Sequence, residues 1–253
     1  MASGQSRARS AARTEVEATP PPGRRSDERR SSSRHYRRAQ RDRGAETRAQ
    51  LVEAALDVFG RLGFEGATTR EIAKAAGANL AAIVYHFGSK EALHLAVAEH
   101  VANRIASSVG PALAEAANPA AAATPKAARA MFARLIETYV EVMVGSAEAE
   151  RWARFIVREQ MQPSAAFDVI YGIMGGSVGI ATRLIATALG RPEDEEIRLR
   201  AFAMFGQVLV FRVAQALVLR RMGWTAIGAR ERAEIKRIVI SQVEAILGGG
   251  AKS

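Results

Sequence analysis

Residues 68–93 read TTREIAKAAGANLAAIVYHFGSKEAL, in which small and helix-favouring residues are interrupted by two glycines. Gly77 can end a short helix by adopting a positive φ, and Asn79 can cap the next helix with its side-chain oxygen. The spacing therefore predicts two helices, over about 69–76 and 80–87, joined by a tight turn. Two helices of these dimensions favour a helix-turn-helix, whose second helix enters the major groove of DNA.

Helices are also predicted on both sides of this pair. From Thr47, a possible cap, apolar residues recur at helical spacing up to Gly63, a natural stop. This stripe consists of Leu51, Ala54, Ala55, Val58, Phe59 and Leu62. Thr68 or Thr69 can cap the first short helix, and Ser89 can cap a fourth helix after the pair.

The second short helix has a small outward face that suits close contact with DNA. Its inward side is expected to consist of Ile83, Val84 and Phe87. Arg70, on the helix before it, is the side chain best suited to bidentate contact with guanine. The candidate DNA-contacting residues are Thr69, Arg70, Leu80, Ala81, Ala82, Tyr85, His86 and Lys90. The same spacing also allows Tyr85 and His86 to be packing groups, so the pattern alone leaves both interpretations open.

The first 45 residues differ from the rest in composition. They contain twelve arginines and five acidic residues, a net charge of +7 within a total of +10. Such a segment cannot bury enough apolar surface to offset the entropy of ordering, so we expect residues 1–45 to be a disordered basic arm. A basic arm suits DNA or another polyanion, and a solubilising spacer is the plain alternative.

Helical patterns continue to the C-terminus, which predicts an all-α chain without strands. After a proline-containing linker, GPALAEAANPAAAATPKAA (110–128), helices are expected at about 126–144, 148–160, 164–189, 194–221 and 230–247. The segment 194–221 is apolar nearly all round, which favours burial against a partner. The segment 230–247 carries one stripe, made of Ile235, Ile238, Val239, Gln242 and Ile246. We expect a homodimer through these two segments, and a core pair within one chain is the alternative.

Composition excludes several classes of protein. The chain has no cysteine, so disulfides, thiolate metal sites and cysteine nucleophiles are absent. Its histidines do not form a metal-binding HExxH, its glycines do not form a phosphate loop, and no serine lies in GxSxG. We therefore expect no catalytic site, no metal and no cofactor. No apolar run reaches the length of a membrane span and no secretory signal is evident, which favours a cytoplasmic protein.

The stretch AALDVFGRLGFEGATTREIAKAAGANLAAIVYHFGSKEAL (54–93) resembles the DNA-binding domain of the TetR family of bacterial regulators. It matches the family elements G(F/Y)xxxT(T/S)xxIAxxAGV and YxHFxSKExL at many independent positions. The resemblance implies a helix-turn-helix DNA-binding domain of three helices over 46–106. It implies phosphate contacts from Thr69, Tyr85, His86 and Lys90, and base-facing places for Arg70, Leu80 and Ala81. Two departures are Ala78, usually valine, and Val84, most often tyrosine, which is expected to remain an apolar packing group.

Three later stretches resemble the C-terminal domain of the CecR-type subgroup of that family. They are FIVREQMQPSAAFDVIYG (155–172), ALGRPEDEE (188–196) and GQVLVFRVAQALVLRRMGW (206–224). The resemblance implies a helical-bundle domain for dimerisation and effector binding over 107–253. Candidate pocket residues are Phe155, Arg158, Glu159, Met161, Gln207 and Phe211, with Gln160, Arg212 and Gln215 as further polar groups. Each of them could instead be a core or surface residue, and the pattern does not specify the chemistry of the effector.

The hypothesis that these observations favour is a homodimeric regulator, most simply a repressor that an unknown small molecule releases from double-stranded DNA. Two-fold symmetry of the dimer predicts a near-palindromic operator. Two alternatives stay open. One is a non-specific, architectural DNA binder that depends on the basic arm, and the other is a helical small-molecule-binding protein or enzyme.

Overall fold

The computed structural model describes residues 23–248, with side chains described for residues 42–146 and 148–248. Within these residues the chain forms ten α-helices and no strand, which confirms the all-α prediction. The helices are α1 (Gly23–Gly66), α2 (Thr69–Ala75), α3 (Leu80–Phe87), α4 (Lys90–Ala117), α5 (Pro125–Gly145), α6 (Ala147–Met161), α7 (Ala165–Leu189), α8 (Glu195–Val213), α9 (Gln215–Met222) and α10 (Ala229–Gly248).

Helices α2 and α3 begin at the residues that the sequence marks as caps. The Oγ1 of Thr68 accepts a hydrogen bond from the backbone N–H of Glu71 (3.2 Å), and the Glu71 carboxylate accepts one from the N–H of Thr68 (3.0 Å). This reciprocal capping box satisfies two N–H groups that the helix itself leaves unpaired. Asn79 and Ser89 cap α3 and α4 through their side-chain oxygens.

The turn between α2 and α3 has the conformation that the glycine predicts. Gly77 has a φ of 64°, a region that residues with a Cβ adopt at a cost. The N–H of Ala78 donates to the carbonyl of Ala73 (2.9 Å), and the N–H of Gly77 donates to that of Lys74 (3.2 Å). These two bonds form a Schellman motif, which ends α2 and turns the chain into α3 within four residues.

Two groups of buried side chains hold the chain together. We call residues 47–106 the head and residues 107–248 the body. The first core contains the apolar sides of the head helices, and the second lies between α5, α7, α8 and α10. The body contributes to the first core through Ala149, Trp152, Phe155, Ile156, Ala166 and Ile170. The head is therefore packed against α6 and the start of α7 by shared apolar surface.

Ion pairs reinforce this contact between head and body. The guanidinium of Arg151 on α6 lies 2.6 and 3.0 Å from the carboxylate oxygens of Asp57 on α1. It also donates to the carboxylate of Glu53 (2.7 Å) and to the Glu53 carbonyl (2.8 Å). Because these groups are partly exposed, each pair adds little stability, but their several bonds fix how α1 lies on α6.

A polar pair is buried inside the first core. Nε2 of His94 on α4 lies 3.3 Å from a carboxylate oxygen of Glu159 on α6, and both side chains are almost fully buried. Three rings surround the imidazole, with centroids 4.5 Å away for Phe59, 4.8 Å for Phe64 and 5.2 Å for Phe155. The second carboxylate oxygen of Glu159 accepts hydrogen bonds from the backbone N–H and the hydroxyl of Ser164, which caps α7. The pair thus ties α4, α6 and α7 together.

This pair makes the stability of the fold depend on pH. Burial holds the pKa of His94 below its usual value of 6.5, and this effect outweighs the neighbouring Glu159, which raises it. The unfolded chain therefore takes up a proton near pH 6.5 that the folded chain resists, so stability is lost as the pH falls through that value. We expect the free energy of unfolding of the natural chain to fall more steeply below about pH 6.5 than that of the variant His94→Gln. The difference in slope is up to about 1.4 kcal/mol per pH unit. Urea unfolding across that range measures the difference, and parallel curves for the two proteins would contradict it.

Helix α1 differs from the sequence prediction at both of its ends. It begins at Gly23, so residues 23–45 are helical where disorder is predicted, while residues 1–22 lie outside the described residues. Arginine, alanine and glutamine are good helix formers, and a shortage of apolar residues prevents a packed core rather than a helix. Thr47 lies inside α1 and does not cap it. Gly63 interrupts the helical φ/ψ values, although α1 is assigned as far as Gly66.

The connection between head and body is a continuous helix where the sequence predicts a linker. Helix α4 runs through Pro111 and ends at Ala117. Its buried residues contribute to the first core from Leu93 to Val101 and to the second core at Ala116. The predicted linker is wrong over residues 110–117, because apolar packing at both ends of α4 outweighs the hydrogen bond that one proline removes.

The predicted helix 194–221 is two helices in the structure. Helix α8 ends at Val213 and α9 begins at Gln215, with a bend of 74° between them. Ala214 between them is non-helical (φ −100°, ψ 26°). No glycine or proline marks this break, which explains why the pattern does not reveal it.

Helix α7 is long and apolar enough to cross a membrane by length and composition alone, with a mean hydropathy of 1.5. The bent pair of α8 and α9 passes the same test when it is taken as one span. In the structure α7 packs against α4, α5 and α8, and its residues from Ala181 to Ala188 lie in the second core. One third of the most apolar window of α7 is buried in this way.

Candidate nucleic-acid interface

Helix α3 presents an open face beside one buried residue. Ile83 is buried in the first core (1% exposed), whereas Val84 and Tyr85 are 65% and 84% exposed. Leu80 and Ala81 are also exposed, one turn earlier on the same side. Residues 80, 81, 84 and 85 therefore form a continuous stripe, which is the geometry that lets a helix lie in the major groove.

Val84 is on the opposite side from the one that the sequence predicts. At 3.6 residues per turn, Val84 follows Leu80 on the outward side, while Phe87 follows Ile83 inwards. The prediction that Val84 is an inward packing group is wrong. Its apolar methyl groups instead belong to the exposed face, where they are suited to contact a thymine methyl. The i, i+4 spacing from Leu80 was the signal that could have placed it.

Tyr85 and His86 are placed differently from one another. The Tyr85 ring is open to solvent, so the alternative of a core packing group does not apply to it. His86 is half-buried, with its ring 4.9 Å from that of Tyr85 and 6.2 Å from that of Phe87. Both can donate a hydrogen bond to a phosphate. Ala82, also predicted to contact DNA, is half-buried and packs against the first core.

Positively charged side chains lie near the turn between α3 and α4. Nζ of Lys90 lies 4.3 Å above the ring of Phe64, and the guanidinium of Arg48 lies 5.0 Å above the ring of Phe87. Such cation–π contacts hold a cation in place while leaving part of it accessible. Lys90 begins α4, whose first N–H groups favour an anion. Arg48 was not among the sequence candidates, because its distance from α3 along the chain gives no signal.

The outer side of helix α2 adds basic residues to the candidate interface. Arg70 and Lys74 are exposed, and Thr69 is half-buried at the start of the helix. Glu71 lies between these cations, and its hydrogen bonds to Thr68 hold the pKa of its carboxyl below its usual value. Because that carboxylate is turned back into the cap, the outer side of α2 keeps its basic character.

The structure separates the predicted pocket residues. Arg158 and Met161 line a groove beside α6, whereas Phe155 and Glu159 are buried in the first core. Gln207 and Phe211 lie on α8; the amide oxygen of Gln207 is buried and has no hydrogen-bond partner among the described residues, and Phe211 packs against the second core. Within the described side chains, no group of three or more histidine or acidic residues is placed to hold a metal ion.

Comparison with known families accounts for both halves of the chain. Residues 51–97 match the profile of the bacterial regulatory proteins of the TetR family, and residues 128–250 match the C-terminal domain of the HTH-type transcriptional dual regulator CecR. The CecR protein of Shigella flexneri is 35% identical over 211 residues, which cover 82% of this chain and 94% of that protein.

Solved structures of low sequence identity share the fold. AibR, solved in complex with isovaleryl coenzyme A and operator DNA, superposes with a TM-score of 0.58 at 16% identity, covering 78% of this chain and 97% of AibR. FadR of Bacillus subtilis, solved with stearoyl-CoA, gives a TM-score of 0.52 at 15% identity, covering 77% of this chain and 96% of FadR. Taken with the exposed face of α3, the two family matches and the full-length similarity to CecR show that this chain belongs to the TetR family of DNA-binding transcriptional regulators.

Proposed function

We propose that the protein is a cytoplasmic, homodimeric repressor that leaves a near-palindromic operator when a small molecule binds. The proposal that the protein binds DNA rests on the exposed stripe of α3. This helix is capped at both ends and is held against the first core by the buried Ile83. A helix held this rigidly can place its side chains against base edges without reorganising. The protein acts by binding and release, so this function requires no catalytic residue.

The proposal that the protein is a dimer rests on helix α8, which is apolar on two opposite sides. The core side of α8 consists of Ile197, Ala201, Met204 and Val208. The opposite side is exposed and consists of Leu199, Phe202, Ala203, Gly206, Val210 and Val213. A surface helix of a monomer is polar on its outer side, and a contiguous apolar strip of this length is typical of an interface between subunits.

Helix α10 has a smaller place in the proposed interface than the sequence predicts. Of its predicted stripe, Ile235 and Val239 are buried in the second core of the same chain. Ile238 and Gln242 are exposed beside it and remain available to a partner. We therefore assign the centre of the interface to α8 and its flank to α10. In the proposed dimer a two-fold axis at α8 would relate the two heads, which suits two half-sites about one helical turn apart.

Helix α4 is the natural path from effector to DNA. It runs without a break from Lys90, next to the recognition unit (residues 68–89, with α2 and α3), to Ala116 in the second core. A ligand that favours one arrangement of the two bodies in the dimer shifts the spacing of the heads. The coupling free energy between effector binding and DNA binding is typically about 1–3 kcal/mol. AibR was solved with an acyl-coenzyme A and operator DNA, and this supports a ligand-responsive role for a chain of the same fold.

The experiment that tests this proposal is selection of bound DNA from a random pool by the full-length protein. We expect a two-fold symmetric sequence, bound by a dimer. Removal of residues 1–45 should preserve the preference for that sequence while lowering the slope of log affinity against log salt, if the arm contacts phosphates. An unselective pool, together with loss of all affinity on removing the arm, would favour the architectural alternative instead.

Arg70→Ala tests the proposed base contact on α2. A bidentate contact between arginine and guanine contributes about 1–3 kcal/mol of discrimination. We therefore expect the variant to lose roughly 5- to 150-fold in affinity for each half of the selected sequence, and to tolerate substitution at one symmetric pair of base positions. Fluorescence anisotropy with the selected DNA and its single-base variants measures both effects. An equal loss on every sequence would assign Arg70 to a phosphate contact.

A further inference from the structure

An open groove lies where the end of α1 meets α6, α8 and α9. Its volume is about 860 Å³, within the range of small-molecule sites. Its apolar lining is formed by Ala153, Val157, Met161, Val213, Ala216 and Leu219. Met161 is 78% exposed at its edge. An exposed thioether beside a concave apolar wall is adaptable surface of the kind that binding sites use.

The charged lining of this groove is predominantly positive. It consists of three arginines, Arg154, Arg158 and Arg212, and one acid, Glu150. Arg154 and Glu150 form an i, i+4 ion pair on α6. The other two arginines have no carboxylate within ion-pairing distance among the described side chains. With all four groups ionised, the lining has an excess of two positive charges.

Arg212 is the most unusual of these residues because its cation is buried. Its guanidinium donates to the carbonyls of Met143 (2.5 Å) and Ser146 (3.0 Å), at the C-terminal end of α5. A helix C-terminus favours a cation, but carbonyl groups carry no net charge. Burial lowers the pKa of Arg212, although the charge of the nearby Glu150 acts in the opposite direction. A buried cation that has no carboxylate within ion-pairing distance is costly unless an anion approaches it.

Arg158 connects the groove to the DNA-binding head. Its guanidinium donates to the carbonyl of Arg61 near the end of α1 (2.7 Å) and lies beside Gly63. Gly60, on the same helix, lines the groove and packs closely against Arg154 and Phe155 of α6. A molecule in the groove would therefore touch the head and the body at once.

We propose that this groove is the effector site and that it binds an organic anion with an apolar chain or ring. The acid group is held by the three arginines, and the apolar part lies on the walls of α6 and α9. This assignment rests on the ligand-responsive function proposed above. It also gives that function a route: an acid that binds Arg158 competes with the carbonyl of Arg61 and loosens the contact between α1 and α6.

Titration calorimetry on the full-length protein without DNA tests the site, with dodecanoate as the probe. We expect saturable binding of one molecule per chain. Arg154→Gln removes one cation and leaves Glu150 unpaired, and Ala216→Glu adds a carboxylate to the exposed wall. Each should weaken binding by roughly 10- to 150-fold, because Arg154→Gln removes a hydrogen bond to the charged acid and Ala216→Glu places a like charge beside it. Both positions are on the surface, so both variants are expected to fold.

Two controls make the result specific. Arg134→Gln alters an equally exposed arginine, which pairs with Glu115 far from the groove, and should leave the affinity for dodecanoate unchanged. Dodecyltrimethylammonium has the same chain with a positive head and should not bind. Equal affinity in all three variants, or equal binding of the cation, would overturn the assignment.

The same samples separate this inference from the proposed function. Operator affinity is measured with and without dodecanoate, and we expect release of DNA by the natural chain and weaker release from Arg154→Gln. Failure to bind any operator in the absence of dodecanoate would refute the proposed function, while the calorimetry would still decide the groove. Binding of dodecanoate with no change in operator affinity would overturn its assignment as the effector site.

Discussion

Ala81→Glu is expected to abolish sequence-specific DNA binding while the head stays folded. Ala81 is exposed on the open face of α3, so a carboxylate there would meet base edges and phosphates. Placing like charges together costs several kcal/mol, and at about 3 kcal/mol the affinity falls roughly a hundredfold for each head. The helix itself should not suffer, because residue 81 lies in the first turn of α3, where the macrodipole favours an acid.

The measurement is anisotropy with the selected operator, alongside thermal unfolding of the free protein. Ala114→Glu is the matched control, since it makes the same change at an exposed position of α4 beyond the head. We expect Ala114→Glu to bind the operator as the natural chain does, and both variants to unfold near the natural temperature. Full operator affinity in Ala81→Glu would show that α3 does not enter the groove.

The recognition unit could be predicted closely because its signals are local. Gly77, Asn79 and Ser89 each act on backbone groups within a few residues, and the structure places the turn and both caps where the sequence indicates. Which residues of α3 face outwards depends instead on one rotation about the helix axis. Assigning Val84 to the inner side along with Ile83 was therefore sufficient to misplace one of the four exposed residues.

Features that depend on distant packing could not be predicted. The continuation of α4 through Pro111 follows from the buried Ala116 beyond it, which belongs to a core that the sequence does not delimit. The bend at Ala214 accompanies a buried Arg212 whose carbonyl partners are more than sixty residues earlier in the chain. Likewise, the pairing of His94 with Glu159 joins two residues that the sequence presents on separate predicted helices.

Phe202→Glu is expected to dissociate the proposed dimer. Phe202 is 60% exposed within the apolar strip of α8, and the two-fold symmetry of the proposed dimer would place two such residues in one interface. Burying each ring contributes about 1.5–3 kcal/mol, and a carboxylate in the same place is left without a partner at further cost. A total of about 6 kcal/mol for the two chains raises the dissociation constant by roughly four powers of ten. Sedimentation at micromolar concentration should then show a monomer.

Loss of the dimer should also lower operator affinity, because one head alone reads half of the sequence. Leu62→Glu is the matched control: Leu62 is a large apolar residue, 42% exposed, at the end of α1 and outside the strip. An isolated exposed leucine has no symmetric partner to lose, so this variant should stay dimeric. If Phe202→Glu also sediments as a dimer, the apolar strip of α8 is not the interface, and the exposed residues of α10 around Ile238 become the surface to test.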